Sequence, residues 1–312
     1  DEGMNTRVRI TDVAPRDGLQ AEESIVPTSD KATLVGLVQQ TGVDEVEVSS
    51  FVSPKWIPQL GDATELFEML AASKPEGVTY SALVPNMRGL DTAIAVNQHA
   101  REEYGVTRLI DKVSVFAAAS EGFSLKNTNG TIEEVLQRFE PIIPKAHEHR
   151  MMVRGYISCI VKCPFDGDIH PVAVADVASH LIELGVDELD LGDTIGAATA
   201  KTIEPVIMET IDRLDGRATN GFGDPTLTLH LHDTYGNASE CVRMALDLGV
   251  RSFDSSAGGL GGCPYASPAT SRAPGNIATS VLVHSIRNAG YTCGVDDDSL
   301  EKANAFAGGL LK

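Results

Sequence analysis

The chain has 312 residues, a formal net charge of −19 and 42% hydrophobic residues. This length allows a large core in one or two domains. The acidic charge argues against a nucleic-acid-binding protein, whose surface is usually basic, and no run of about 18 apolar residues indicates a membrane span.

The cysteine content and the first residues bear on the compartment. Five cysteines, an odd number, indicate a reducing environment and no disulfide framework. The opening segment DEGMNTRVRI resembles neither a signal peptide nor a transit peptide. We therefore expect a cytoplasmic protein. A mitochondrial matrix protein whose presequence has been removed is the alternative.

Strand-like and helix-like segments alternate along the chain. The predicted strands are 8–13, 45–51, 79–84, 112–118, 153–161, 188–194, 227–233 and 251–257. The predicted helices are about 30–41, 62–73, 88–103, 131–149, 171–184, 199–215 and 237–248, with another after 276. Ser29 or Asp30 is a start signal for the first helix, and the segment from Thr131 resembles a capping box.

Alternation of this kind predicts parallel strands joined by helical crossovers. Eight such units favour an α/β fold, a closed (β/α)8 TIM barrel. The alternative is an open doubly wound sheet, but APRDGLQ at 14–20 is charged and lacks its glycine-rich phosphate turn. We expect one catalytic domain over 1–312, with the barrel at about 8–290 and a C-terminal helical extension at about 297–312.

Side chains suited to chemistry follow several predicted strands, at the end where a TIM barrel has its active site. These residues are Arg16, Asp17, Glu47, Asp193, His230, His232, Asp233, Cys263 and Asn276. His230 and His232 lie two residues apart in an alternating run, so in a strand they point to the same face. Paired imidazoles at a strand end are typical of half a metal site.

Some of these residues also have structural interpretations. Glu47 could be an interior barrel residue paired with an arginine, and Asp193 could cap the next helix. Cys263 lies in a Gly-Gly-Cys-Pro loop, where a thiol is a candidate acid or nucleophile. The stretch SPATSRAPGN at 267–276 predicts a loop.

Six stretches together resemble a known family. They are VAPRDGLQ (13–20), VEVSSFVSPKWIPQLGD (46–62), VRGYISC (153–159), LGDTIG (191–196), HLHDTYGNA (230–238) and GGLGGCPYA (258–266), followed by GNIAT (275–279). In order and over nearly the whole chain, these stretches resemble the 3-hydroxy-3-methylglutaryl-CoA lyases. This family belongs to a metal-dependent group of TIM barrels that also contains Claisen-type synthases.

The resemblance implies a divalent-cation cofactor, Mg2+ or Mn2+, held by Asp17, His230, His232 and Asn276. The substrate would be an acyl-CoA thioester, with Lys126 and Asn127 near the CoA moiety. The family implies a role in leucine degradation. We also expect a homo-oligomer, with a dimer as the simplest case.

The same resemblance implies a retro-Claisen cleavage that releases acetyl-CoA and acetoacetate. Arg16 would oppose charge on the thioester carbonyl, and Glu47 and Asp193 would be active-site carboxylates. Cys263 would be the general acid, and the base would be His232 or Asp193.

Two departures from the family pattern bear on the substrate. Ser280 replaces a glutamate after the GNIAT segment, and the stretch 267–274 is longer and contains Arg272. A related 3-hydroxy-3-substituted dicarboxylyl-CoA is therefore an alternative substrate. A Claisen-type synthase and an inactive metal-binding scaffold are further alternatives.

Overall fold

The computed structural model describes residues 6–217, 219, 223–261 and 274–310. The strands are β1 (Arg9–Asp12), β2 (Glu45–Ser50), β3 (Thr79–Leu83), β4 (Lys112–Ala118), β5 (Met152–Ser158), β6 (Lys162–Cys163), β7 (Gly167–Asp168), β8 (Glu188–Gly192), β9 (Leu227–His230) and β10 (Ser252–Ser255). The helices are α1 (Thr28–Gln39), α2 (Ala63–Leu70), α3 (Met87–Tyr104), α4 (Glu121–Thr128), α5 (Ile132–Phe139), α6 (Ile142–Glu148), α7 (Pro171–Leu184), α8 (Ala200–Arg213), α9 (Ala238–Asp247), α10 (Thr279–Asn288) and α11 (Asp297–Gly309). Short helical turns lie at Ala14–Gly18, Pro58–Leu60 and Ala257–Gly259.

Eight parallel strands close into a barrel in the order β1-β10-β9-β8-β5-β4-β3-β2. Strand β1 pairs with both β2 and β10, which excludes the open sheet and confirms the predicted TIM barrel. Strands β6 and β7 form a separate antiparallel pair, and α11 packs on α1. Among the helices described, none combines the length and the apolar character that crossing a membrane requires.

The helices differ from the prediction in three places. The segment predicted as one helix over 131–149 is broken at Pro141, which precedes α6 as its N-cap residue and lacks a backbone N–H to continue α5. Helix α4 was not predicted, and Ser120 caps it by accepting the backbone N–H of Phe123. Helix α1 begins at Thr28 after Pro27 without a side-chain cap, so the start signal at Ser29 or Asp30 was wrong. The capping box at Thr131 is confirmed.

The barrel interior is ionic. Lys112 Nζ of β4 lies 2.7 Å from Glu45 Oε2 of β2 and 2.5 Å from Glu188 Oε2 of β8. Neither β2 nor β8 is a neighbour of β4 in the sheet, so these contacts cross the interior. Arg154 of β5 adds a contact of 2.7 Å from Nη2 to Glu45 Oε1. Charged pairs therefore occupy space that branched apolar side chains usually fill in such barrels.

The outward positions of the strands carry the apolar core. Val46 and Val48 of β2 alternate with Glu45 and Glu47 and are fully buried beneath the surrounding helices α1 and α2. The strand period of two therefore separates an ionic inner layer from an apolar layer between strands and helices.

Lys112→Met tests the ionic interior. The variant removes one of the two buried cations, Lys112 and Arg154, that contact both Glu45 and Glu188, so we expect the free energy of unfolding to fall by about 3–5 kcal/mol. Lys145→Met is the matched control, because Lys145 pairs with Asp91 at 2.6 Å on the surface, where such pairs contribute little. Urea denaturation should show no measurable change for this control. An equal change in the free energy of unfolding of the two variants would contradict the view that the ionic interior stabilises the fold.

Candidate active site

The turn after β1 places Arg16 and Asp17 at the carboxyl end of the barrel. The turn, Ala14–Gly18, is a single π-helical turn that packs on Leu260. A Cβ at Gly18 would lie only 2.8 Å from the Cβ of Leu260, so this approach requires glycine. The close packing directs the Arg16 side chain into the barrel mouth, where it is buried.

Arg16 is held by several groups. Its Nε donates to Glu47 Oε1, and its Nη1 donates to Asp17 Oδ1 at 2.8 Å and to Gln20 Oε1 at 3.2 Å. Its guanidinium carbon lies 5.6 Å from the centre of the Tyr156 ring. Although burial opposes the charge, Glu47 and Asp17 hold the pKa of Arg16 above its ordinary value. The result is a fixed cation at the mouth.

Glu47 connects this cation to the barrel interior. Its Oε2 accepts from the Tyr156 hydroxyl at 2.8 Å and from Ser114 Oγ at 3.2 Å. Arg154 Nη1 lies 3.5 Å from the same oxygen. The structural interpretation of Glu47, an interior residue paired with arginine, is confirmed, and its role as an active-site carboxylate stays a prediction.

Asp17, His230 and His232 form a cluster beside Arg16. The three side chains offer ligand atoms that all lie within 4.8 Å of one another. His230 Nε2 is 3.5 Å from Asp17 Oδ2, and the two imidazole centres are 5.3 Å apart. Asn276 joins the cluster by donating its amide to Asp17 Oδ2 at 2.8 Å. The residues predicted as metal ligands are therefore brought together.

His232 lies beyond the end of the observed strand, so the prediction of a strand over 227–233 was too long at its carboxyl end. Strand β9 ends at His230, and His232 pairs instead with Asn276 in an isolated antiparallel bridge. A Cβ at Gly261, which has a φ of +101°, would lie 2.6 Å from the Asn276 amide nitrogen. Glycine at this position therefore allows the segment carrying Asn276 to approach the cluster.

Two groups of the cluster, Asp17 and His232, have protonation states that suit a divalent cation. Despite burial, the charges of Arg16 and His230 hold the pKa of Asp17 well below its ordinary value. Burial and the neighbouring His230 lower the pKa of His232 to about 4. Burial opposes protonation of His230, but hydrogen bonds with Asp17 and Asp254 raise its pKa well above the ordinary value. An ionised carboxylate and a neutral imidazole are thus available, and this donor set fits a divalent cation.

Asp193 follows β8 and is buried beside the cluster. Its two oxygens accept the backbone N–H groups of Ala197 and Ala198, each at 3.0 Å. Helix α8 has its own cap at Thr199, so Asp193 orders the loop before that helix and is not its cap. Burial raises the pKa of Asp193 to about 6, against the effect of these hydrogen bonds.

Of five other residues that the sequence analysis singled out, the structure describes three. Lys126 and Asn127 are exposed in the last turn of α4, which follows β4. Ser280 is exposed in the first turn of α10. Cys263 and Arg272 lie outside the described residues.

The sequence reasoning missed several residues that contact the predicted site residues, among them Gln20, Ser114, Arg154, Tyr156 and Asp254. Arg154 and Tyr156 carried a signal, because they alternate around the small Gly155 in a predicted strand and so share one face. That pattern does not show how deeply the two side chains are buried or which residues they contact.

Asp12 anchors the segments that border the cluster. Its fully buried carboxylate accepts the N–H of Ala14 at 2.9 Å, the N–H of Ala257 at 3.1 Å and the hydroxyl of Thr279 at 2.9 Å. These bonds join β1 to the turn Ala257–Gly259 and to α10. Burial raises the pKa of Asp12 to about 6, although the hydrogen bonds act in the opposite direction.

The fold and this cluster define a TIM barrel with a candidate metal-dependent active site. A family model described as HMGL-like matches residues 7–306. The chain is 41% identical to the mitochondrial hydroxymethylglutaryl-CoA lyase of Pongo abelii, over 96% of this chain and 84% of that protein. The chain belongs to the HMGL-like family.

Two further proteins show the same likeness. A Pseudomonas aeruginosa protein named 3-hydroxy-3-isohexenylglutaryl-CoA/hydroxy-methylglutaryl-CoA lyase is 41% identical over 95% of this chain and 90% of its own length. The crystal structure of an HMG-CoA lyase from Brucella melitensis superposes with a TM-score of 0.87 at 40% identity. That match covers 97% of this chain and 98% of the other.

The raised pKa of Asp12 predicts a specific pH dependence of stability. The folded state keeps the proton up to about pH 6, whereas the unfolded chain releases it near 3.8. The free energy of unfolding, relative to that of Asp12→Asn, should therefore fall by up to about 3 kcal/mol as the pH rises through this range, and should then stay constant. Urea denaturation of both proteins across this range measures the difference. A difference that does not vary with pH would contradict the prediction.

Proposed function

We propose that the protein cleaves 3-hydroxy-3-methylglutaryl-CoA to acetyl-CoA and acetoacetate with a divalent cation, Mg2+ or Mn2+. The observation that carries this proposal is the cluster of Asp17, His230 and His232 beside the fixed cation Arg16. Its support includes the HMGL-like family and relatives of about 41% identity that are named as lyases for this thioester.

The reaction is a retro-Claisen cleavage. The tertiary hydroxyl at C3 loses its proton, and the C2–C3 bond breaks. The oxygen at C3 becomes the ketone of acetoacetate, and the electron pair of the broken bond moves to C2. The other fragment is the enolate of acetyl-CoA, which takes up one proton at C2.

The metal ligands are proposed to be Asp17, His230, His232 and Asn276. A divalent cation bound there would polarise substrate oxygens and lower the pKa of the hydroxyl. The ionised Asp17 and the neutral His232 support this assignment. Asn276 would bind through its amide oxygen, and its present hydrogen bond to Asp17 keeps it within the cluster.

The chain's other residues would manage charge and protons. Arg16 opposes the negative charge that develops on the thioester oxygen of the enolate, and Glu47 keeps Arg16 in place. Asp193 takes the hydroxyl proton, directly or through water, because His232, the other predicted base, is assigned to the cation. The family resemblance assigns the proton delivered to C2 to Cys263. Lys126 and Asn127, both exposed on α4, are proposed to contact the CoA moiety.

Cleavage with each metal tests the proposal as a whole. We expect release of acetyl-CoA and acetoacetate in equal amounts with Mg2+ or Mn2+, and none with a chelator. Mn2+ binding without cleavage of this thioester would contradict the proposed activity and favour a metal-binding scaffold. Condensation of acetyl-CoA with a 2-oxo acid would favour the synthase.

Arg16→Met tests the cation at the mouth. Loss of a preorganised positive charge should lower kcat by roughly 10²–10³-fold. Arg213→Met is a matched control, because Arg213 pairs with Asp176 on the surface at 3.2 Å. Steady-state kinetics should find this control unchanged. Retention of more than half the activity by Arg16→Met would exclude the role.

Cys263→Ala tests the proton donor. We expect cleavage to be lost, because no proton would reach C2 efficiently, whereas Mn2+ affinity should be unchanged. Cys241→Ala is the control, since Cys241 is buried on α9. Parent-like turnover in Cys263→Ala would assign the proton to another group.

A longer 3-substituted glutaryl-CoA is a second candidate substrate. It is favoured by the Pseudomonas aeruginosa relative, whose name covers both an isohexenyl and a methyl substrate. Comparison of kcat/KM for the two thioesters decides between them.

A further inference from the structure

His230 has a buried carboxylate behind it. Its Nδ1 lies 2.8 Å from Asp254 Oδ2, while its Nε2 faces Asp17 on the opposite side of the ring. A carboxylate can only accept a hydrogen bond, so Nδ1 carries the proton in this pair. This arrangement leaves Nε2 as the nitrogen directed toward the cluster.

The barrel itself sets this alignment. Asp254 of β10 and His230 of β9 are register partners on neighbouring parallel strands, so their side chains enter the interior side by side. The ring of Tyr156 packs edge-on against His230, with centres 6.1 Å apart and planes at 90°. The imidazole is thus restrained both by a hydrogen bond and by an aromatic neighbour.

Among the described residues, His230 is the hydrogen-bond partner of Asp254, and the buried Asp190 is a close carboxylate neighbour. Its side chain is 1% exposed, and its second oxygen, Oδ1, is buried without a hydrogen-bond partner in that part of the chain. Arg154 and the buried Asp190 also lie close enough for Asp254 to shift their pKa values, so the imidazole is its hydrogen-bond partner within a larger charged group. His232 differs, because its own buried Nδ1 makes no hydrogen bond to the described residues.

We propose that Asp254 is a positioning residue that fixes the orientation and tautomer of His230 for the metal site. The carboxylate accepts the Nδ1 proton, increases the basicity of the ring and presents the Nε2 lone pair to the cation. The two imidazoles would then contribute unequally, with His230 preorganised by a carboxylate and His232 without one.

The experiment measures Mn2+ affinity by calorimetry on the full chain. Asp254→Asn keeps the shape but removes the charge and permits the opposite tautomer, so we expect roughly 10–100-fold weaker binding. Asp187→Asn is the matched control, because Asp187 contacts His147 Nε2 at 2.9 Å away from the cluster. Its Mn2+ affinity should stay within about twofold of the parent's.

A double-mutant cycle separates positioning from a general structural effect. In a His230→Ala background, Asp254→Asn should cause no further loss, because the ring on which it acts is absent. A further loss in that background, or unchanged affinity in Asp254→Asn alone, would overturn the inference. The inference rests on the proposed metal site, and failure of the parent to bind Mn2+ would overturn both, whereas the other two outcomes would overturn only the positioning role.

Discussion

The buried carboxylate of Glu47 joins the ionic interior of the barrel to its catalytic end. One of its oxygens accepts from Arg16, and the other faces Arg154 and the Tyr156 hydroxyl. A buried carboxylate is tolerated only when it is paired. The position of Arg16 at the mouth is therefore a consequence of how charge is balanced inside the barrel.

The same balance of charge extends to the cluster of Asp17, His230, His232 and Asn276. Arg16 contacts Asp17, which in turn contacts His230 and Asn276, and His230 contacts Asp254. Each charged group in this series of contacts is compensated by the next one. The cluster therefore keeps an ionised carboxylate although it is largely enclosed. This continuity explains how a strongly acidic protein can present a fixed cation to an anionic thioester.

The sequence predicts the barrel and the location of the site, because both depend on local patterns. Alternation of strands and helices and the paired histidines are short-range signals. The interior ion pairs are not, since Arg154 and Glu47 are 107 residues apart and only closure of the barrel brings them together. Helix α4 escaped prediction because it buries only Phe123 and Ser124 and so lacks an apolar stripe.

Cleavage of 3-hydroxy-3-methylglutaryl-CoA in D2O tests the central claim most directly. An enolate of acetyl-CoA must take its proton from a group that exchanges with solvent. Mass spectrometry of the acetyl-CoA should therefore show one deuterium in its methyl group, alongside an equal amount of acetoacetate. Acetyl-CoA without deuterium, or free CoA from hydrolysis of the thioester, would contradict an enolate formed by cleavage of the C2–C3 bond.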